Sequence, residues 1–418
     1  MRNIFDQYSQ PENRLTHALA SALKEDKKLL LSFVRWITGA TPPKKLIIIE
    51  QSLPSDPETS EDDSEQRGLP DAWIYNDDES WSLLIESKVS SPLKNDQLQR
   101  HLRTAERRGY ENVQVLAIDV WEPKRKLSQR VLFKKWSDIY TWLIKHSKQS
   151  EWARRAASYM EIAEAKLPEE GYLKEGTLTV FSGIPFDGDE PFNYQEGKRI
   201  LKLAMQELRK RKDLVKKIGM SPKGLGRGAI TGKDATAVWD FLRIRGSKNK
   251  ELFTKYPHLT LGLQRDRVLA IITVPNGITP SFRRNIISLG YDGFTELMKK
   301  VNSNFNKALK KAKGSAPWVE IVQRRYSSQR ATPIIDARIE YDLRTVFPTR
   351  RKQPIKIQKE WLRATFDALA NKQSNLQVAV GAIFPYRTCE VNKSPEILNY
   401  VAATWIACKP LLDVMMED

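Results

Sequence analysis

The stretch Gly68 to Lys88, GLPDAWIYNDDESWSLLIESK, constrains the fold more than any other part of the chain. Two short apolar, β-prone runs are joined by a polar turn, Asn76 to Ser80, which reads as a hairpin. Side chains at i and i+2 share one face of a strand. Glu86 and Lys88 therefore stand side by side, while Trp81, Leu83, Ile85 and Val89 face a core. Asp71 follows Pro70 at the head of the first run. A carboxylate beside a lysine, with a second carboxylate on the neighbouring strand, suits a divalent-cation site that activates water. The plain structural alternative is an exposed Glu–Lys pair on a hairpin, worth little to stability.

Pro-Asp, fourteen residues, then Glu-Ser-Lys resembles the PD-(D/E)XK nuclease superfamily, the restriction-endonuclease-like fold. The resemblance covers roughly residues 1 to 167. It implies a mixed sheet flanked by helices, a catalytic Asp71, Glu86 and Lys88, and Mg²⁺ or Mn²⁺ held by Asp71 and Glu86. The backbone carbonyl of Ser87 is a further candidate ligand. Related nucleases also carry an acid on the first helix that helps to hold metal, and Glu12 in ENRLTHAL matches it; capping that helix is the competing role. A glutamine on the helix after the Glu-x-Lys strand, in a Gln-x-x-x-Tyr pattern, is matched by Gln97. His101 stands where the tyrosine would be and reads as an ordinary polar surface residue.

Other chemistries have little support. Cys389 and Cys408 allow neither a zinc spacing nor a disulfide framework, and four scattered histidines suggest no His-based metal site or Ser-His triad. No run of eighteen apolar residues occurs, and the N-terminus lacks the apolar stretch of a signal peptide, so a cytoplasmic protein without a membrane is expected. In SPKGLGRGAITGKD, Arg227 replaces the first glycine of a phosphate loop and Asp234 its final hydroxyl residue, which makes ATP binding improbable.

In chain order, Ser9 and Glu12 match a capping box for a helix from Ser9 to about Asp26. A second helix runs to Thr38, and LIIIE (Leu46 to Glu50) reads as a buried strand. Ser52 to Gly68 is an acidic loop. Beyond Lys88 follow a helix over Lys94–Arg108, a strand over Asn112–Asp119, and helices over Trp136–Lys145 and Glu151–Ala165. A boundary segment of Pro, Gly and charged residues separates residues 1–167 from a second domain over 178–418, with 168–177 as linker. That domain reads as α+β, opening on a strand TLTVF and one basic helix over Asn193–Lys217.

Charge divides the chain as well. The net charge is +18, yet residues 1 to 170 carry 26 Lys and Arg against 27 Asp and Glu, leaving 43 against 24 for the remainder. Such asymmetry points to a polyanionic partner for the second half, most plausibly nucleic acid, with a merely solvated surface as the bland alternative. Lys223 and Arg227 in the Gly-rich loop, Lys310 and Lys311, and Arg324 and Arg325 are its candidate contacts. The expectation is a metal-dependent DNA nuclease with a basic second domain. What nucleases of this kind commonly serve suggests the effector of an anti-phage or restriction system, with a partner protein. The alternative is a non-catalytic nucleic-acid-binding or scaffold subunit.

Overall fold

Asn76 closes the expected hairpin: its side-chain oxygen accepts from the Trp81 N–H at 2.9 Å, and Asp78 accepts from the N–H of Ser80 at 3.0 Å. Glu79 takes the left-handed conformation this reversal needs, with φ of 59°. In this computed structural model the described residues are 10–417, except 51–68, 124, 168–169, 174–175, 190, 224–225, 227–235, 245–254, 276–279, 326, 328–333, 349–354 and 372–375. The chain divides into two compact units, Met1–Val180 and Phe181–Asp418.

The first unit holds a five-stranded mixed sheet in the order β1 (Leu46–Glu50), β2 (Ala72–Asn76), β3 (Trp81–Ser87), β4 (Asn112–Asp119) and β5 (Val131–Lys135). The first three pair antiparallel and the last two join in parallel. Parallel neighbours require a crossover, and α3 (Asn95–Arg107) supplies it between β3 and β4. Helices α1 (Pro11–Glu25), α2 (Lys27–Thr38), α4 (Trp136–His146) and α5 (Glu151–Lys166) share a core with Ile74, Leu83, Ile85, Leu116 and Ile118. On the opposite face α3 packs through Leu98, Leu102 and Ala105 against Trp73, Leu84 and Val115. Alternation along β2, β3 and β4 thus feeds two separate cores. Asp26 caps α2 at Leu29 N (3.0 Å) and accepts from Ser150 Oγ (2.6 Å), which itself caps α5 at Ala153 N, so two helix starts are tied together.

Three expectations fail here, and one strand was not foreseen. Helix α1 is capped by Gln10 with no side-chain bond, so no capping box closes it, and Ser9 lies outside the described residues. Strand β1 is an edge strand of which only Ile48 is buried. Strand β5 was not expected; its two lysines hide a strand paired only with β4. TLTVF does not join a sheet. The backbone N–H groups of Gly176, Thr177, Leu178 and Thr179 all donate instead to the buried Glu164 carboxylate of α5, which satisfies them locally.

The second unit is built on a six-stranded antiparallel sheet in the order β10-β9-β11-β8-β7-β6. These strands are β6 (Ala237–Arg243), β7 (His258–Gln264), β8 (Arg267–Val274), β9 (Ala316–Arg325), β10 (Ile334–Asp342) and β11 (Leu376–Pro385). Gly381 lets β11 and β8 close up, because a Cβ there would fall 2.1 Å from Ala270 O. Helices α6 (Tyr194–Arg209), α7 (Lys212–Ile218), α8 (Pro280–Ser288), α9 (Gly290–Ala308), α10 (Glu360–Ala370), α11 (Ile397–Ala407) and α12 (Lys409–Met416) share the main core with the strands. The expected single basic helix over Asn193–Lys217 is broken between Arg209 and Lys212, and Asn193 caps its first half at Gln195 N and Glu196 N.

Candidate functional site

One end of the first sheet gathers charge. Glu50 ends β1, Asp71 precedes β2, Glu86 and Lys88 close β3, and Asp119 closes β4; the antiparallel and parallel registers bring these positions to the same edge. The backbone of Lys88 is pinned there: its N–H donates to Ile118 O at 2.8 Å, and its carbonyl accepts from Trp136 Nε1 at 3.2 Å. Carboxyl ends of strands are where open α/β sheets commonly carry their sites.

Glu86 faces α3 and is almost wholly buried, at 1% exposure. Three side chains serve its carboxylate. Lys88 Nζ donates to Oε1 at 2.5 Å, Gln97 Nε2 donates to the same oxygen at 2.7 Å, and His101 Nε2 lies 2.9 Å from Oε2. Lys88 thus meets Glu86 as alternation along the strand placed it, and Gln97, named only through the resemblance, joins them there. His101 does not lie on the surface: it is fully buried, and its Nδ1 has no hydrogen-bond partner among the described residues.

The other face of β3 meets α1. Asp71 Oδ2 accepts from Ser87 N at 2.7 Å and from Ser87 Oγ at 2.9 Å, and Thr16 Oγ1 stands 2.6 Å from that same hydroxyl. Glu12, one turn before Thr16, is 9% exposed; its Oε1 is 3.5 Å from Ser91 Oγ, and its Oε2 is buried without a partner among the described residues. Ser87, Thr16 and Ser91 as side chains were missed by motif reading. Only the four-residue step from Glu12 to Thr16, which stacks them on one face of a helix, hinted at the second. Glu50 is held by His17 Nδ1 at 2.7 Å.

Electrostatics follows from this crowding. Burial, and then the neighbouring Glu86 charge, push the Asp71 carboxyl up to about 6 against the lowering effect of Ser87 and Lys88. Burial works against the Lys88 ammonium, but the carboxylates of Glu86, Asp71 and Glu12 outweigh it and raise its pKa. Asp119 is raised by burial, with Lys88 opposing. Lys88 is therefore the cationic centre on which three acids from α1, β2 and β3 converge.

A cation would relieve Asp71 and give the orphaned Glu12 Oε2 a partner, and the oxygen-only donor set is of the kind Mg²⁺ and Mn²⁺ take. The fit is in kind rather than position. Glu86 already has three hydrogen-bond partners, and among the described residues no group of three or more His, Cys, Asp or Glu is arranged to hold an ion.

The second-unit candidates do not form one cluster by any described contact. Lys310 and Lys311 are exposed just past α9, Lys223 is exposed in a turn, and Arg325 on β9 pairs with Asp336 at 3.0 Å. Arg324 is half-buried, and its Nε has no partner among the described residues. Arg227 lies outside the described residues, as does most of the Gly-rich loop. No helix among the described residues is long and apolar enough to cross a membrane. No family model matches the chain, and no curated protein matches it.

Proposed function

We propose that the first unit is a Mg²⁺- or Mn²⁺-dependent phosphodiester hydrolase of the PD-(D/E)XK kind that acts on DNA, and that the basic second unit draws the polyanion to it. The observation that carries this reading is the convergence of Glu86, Asp71 and Glu12 on Lys88 at one sheet edge. The order of α1, β1 to β3, the crossover helix α3 and parallel β4 agrees with it.

Asp71 and Glu86 would hold the cation in this reading, with Glu12 in support. The bound ion would lower the pKa of a water and offset charge on the phosphoryl oxygens. Ser87 holds Asp71 in position through two hydrogen bonds, and Gln97 and His101 orient Glu86 from α3. Lys88, its pKa raised by the neighbouring carboxylates, would orient the nucleophile and steady the phosphate as a cation. Service as an anti-phage or restriction effector with a partner protein belongs to the same proposal and rests on the resemblance alone.

The three partners already on Glu86 favour one competing reading, a fold that binds nucleic acid without cutting it. Incubating linear, circular and single-stranded DNA with the protein, in Mg²⁺ or EDTA, beside Lys88→Ala, separates the two. Metal-dependent cleavage that the variant loses supports the hydrolase. Equal cleavage by both proteins puts the chemistry elsewhere, and tight binding without cleavage by either favours the scaffold.

A further inference from the structure

The loop that follows β4 carries the most exposed large apolar side chain among the described residues, Trp121, at 60% exposure. The strand ends at Asp119, whose Oδ1 accepts from the N–H groups of Val120 at 2.6 Å and of Trp121 at 3.3 Å. That carboxylate fixes the backbone on which the indole is carried. Asp119 also belongs to the strand-end cluster: β4 runs parallel to β3 with Ile118 level with Ser87, and the Lys88 ammonium acts on the Asp119 carboxyl. Trp121 thus stands just past the strand end, on the rim of the cluster.

Tryptophan is highly buried on average, and faces left in water forgo the free energy that their burial supplies. The neighbours of Trp121 narrow what could cover it. Glu122, Arg125 and Lys126 are exposed, and Glu122 pairs with Lys135 of β5 at 3.4 Å. Val120 and Leu127 pack into the two cores and give the indole no apolar company at the surface. Protein partners and lipid surfaces are met by apolar side chains in groups. A single π-face among cations suits a nucleobase, whose phosphates the cations attract. In a duplex each base is already stacked on its neighbours, so only an unpaired base offers a free face.

We propose that Trp121 stacks on an unpaired base of the bound strand, so that the strand-end site takes a single-stranded segment of DNA. The inference rests on the phosphodiester-hydrolase reading for its substrate and adds the form of the strand.

Fluorescence anisotropy on the full chain in EDTA tests it with a labelled single-stranded thymidine oligomer, an abasic oligomer of the same length and charge, and a duplex. Wild type should bind the thymidine oligomer at least about tenfold more tightly than the abasic one. Trp121→Ala should lose about tenfold on the thymidine oligomer and nothing on the other two, and Trp121→Phe, which keeps a ring, should recover most of that loss. A thymidine oligomer that wild type does not bind, or binds no better than Trp121→Ala does, overturns the inference, as does an equal loss on the thymidine and abasic oligomers. Cleavage of the same strands in Mg²⁺ is scored separately. Cleavage combined with binding that ignores the bases sinks the role of Trp121 and leaves the hydrolase standing. Base-selective binding that Trp121→Ala loses, without cleavage of any strand, keeps that role and sinks the hydrolase.

Discussion

The two units handle charge in opposite ways. In the first, which is nearly neutral in sum, ionisable side chains are drawn inward to one sheet edge, where Glu86 is 1% exposed and Lys88 is flanked by three acids. In the second, which carries the excess of cations, charges are largely spread over the surface in local pairs such as Arg325 with Asp336, Lys299 with Glu296 and Lys409 with Asp413. Exposed pairs of this sort contribute little to stability, whereas a buried group of like charges sets pKa values and chemistry. Net charge and reactive charge therefore reside in different places. Under the proposed function the basic half would supply long-range attraction and the crowded strand ends the reaction.

The comparison breaks most visibly at Glu86. Glu86→Gln keeps the size of the side chain but removes the carboxylate, and metal-dependent DNA cleavage should fall about 10²- to 10³-fold with DNA affinity unchanged. Loss of affinity alongside cleavage, measured by gel shift, would mean the two roles are not separated. The next effect is structural. Glu164→Ala strands four backbone N–H groups, and chemical denaturation should show a loss of about 3 kcal/mol or more, with faster amide exchange confined to residues 176–179.

Asp71 sharpens the contrast through pH. Its folded pKa is raised to about 6 from 3.8, so its favourable contribution is complete below 3.8 and is lost as pH rises through 6. In EDTA, Asp71→Asn should therefore be more stable than wild type by about 2 kcal/mol at pH 8, with the gap closing toward pH 4. A gap that does not change with pH would remove burial of a charged Asp71 as its cause. The smallest effect concerns the second unit: Lys307→Glu, Lys310→Glu and Lys311→Glu together should weaken DNA binding about tenfold in low salt and flatten its salt dependence. Cleavage of saturating DNA should not change.

Much of the candidate site was legible because its spacing is imposed by backbone geometry. Period-two alternation put Glu86 beside Lys88 and away from Leu83 and Ile85, whereas Gln97 came from the resemblance alone, and its contact with Glu86 was not foreseen. The burial of His101 was also written in the chain: Leu98, His101, Leu102 and Ala105 follow the i, i+3, i+4, i+7 spacing of an apolar face, but the charged neighbours of that helix drew it outward. TLTVF shows the opposite limit. Its alternation is strand-like, and only a carboxylate on a helix earlier in the chain decides that its N–H groups find no sheet. Strand β5 depends in the same way on a partner, β4, that its own residues do not specify.

The central claim is that the strand-end acids hold a divalent cation. Mn²⁺ binding measured by electron paramagnetic resonance on wild type and Glu86→Gln tests this most directly. Wild type should take up Mn²⁺ saturably and Glu86→Gln should bind it at least about tenfold more weakly. Mn²⁺ that fails to bind wild type, or binds both proteins equally, would contradict the assignment of the metal to this edge.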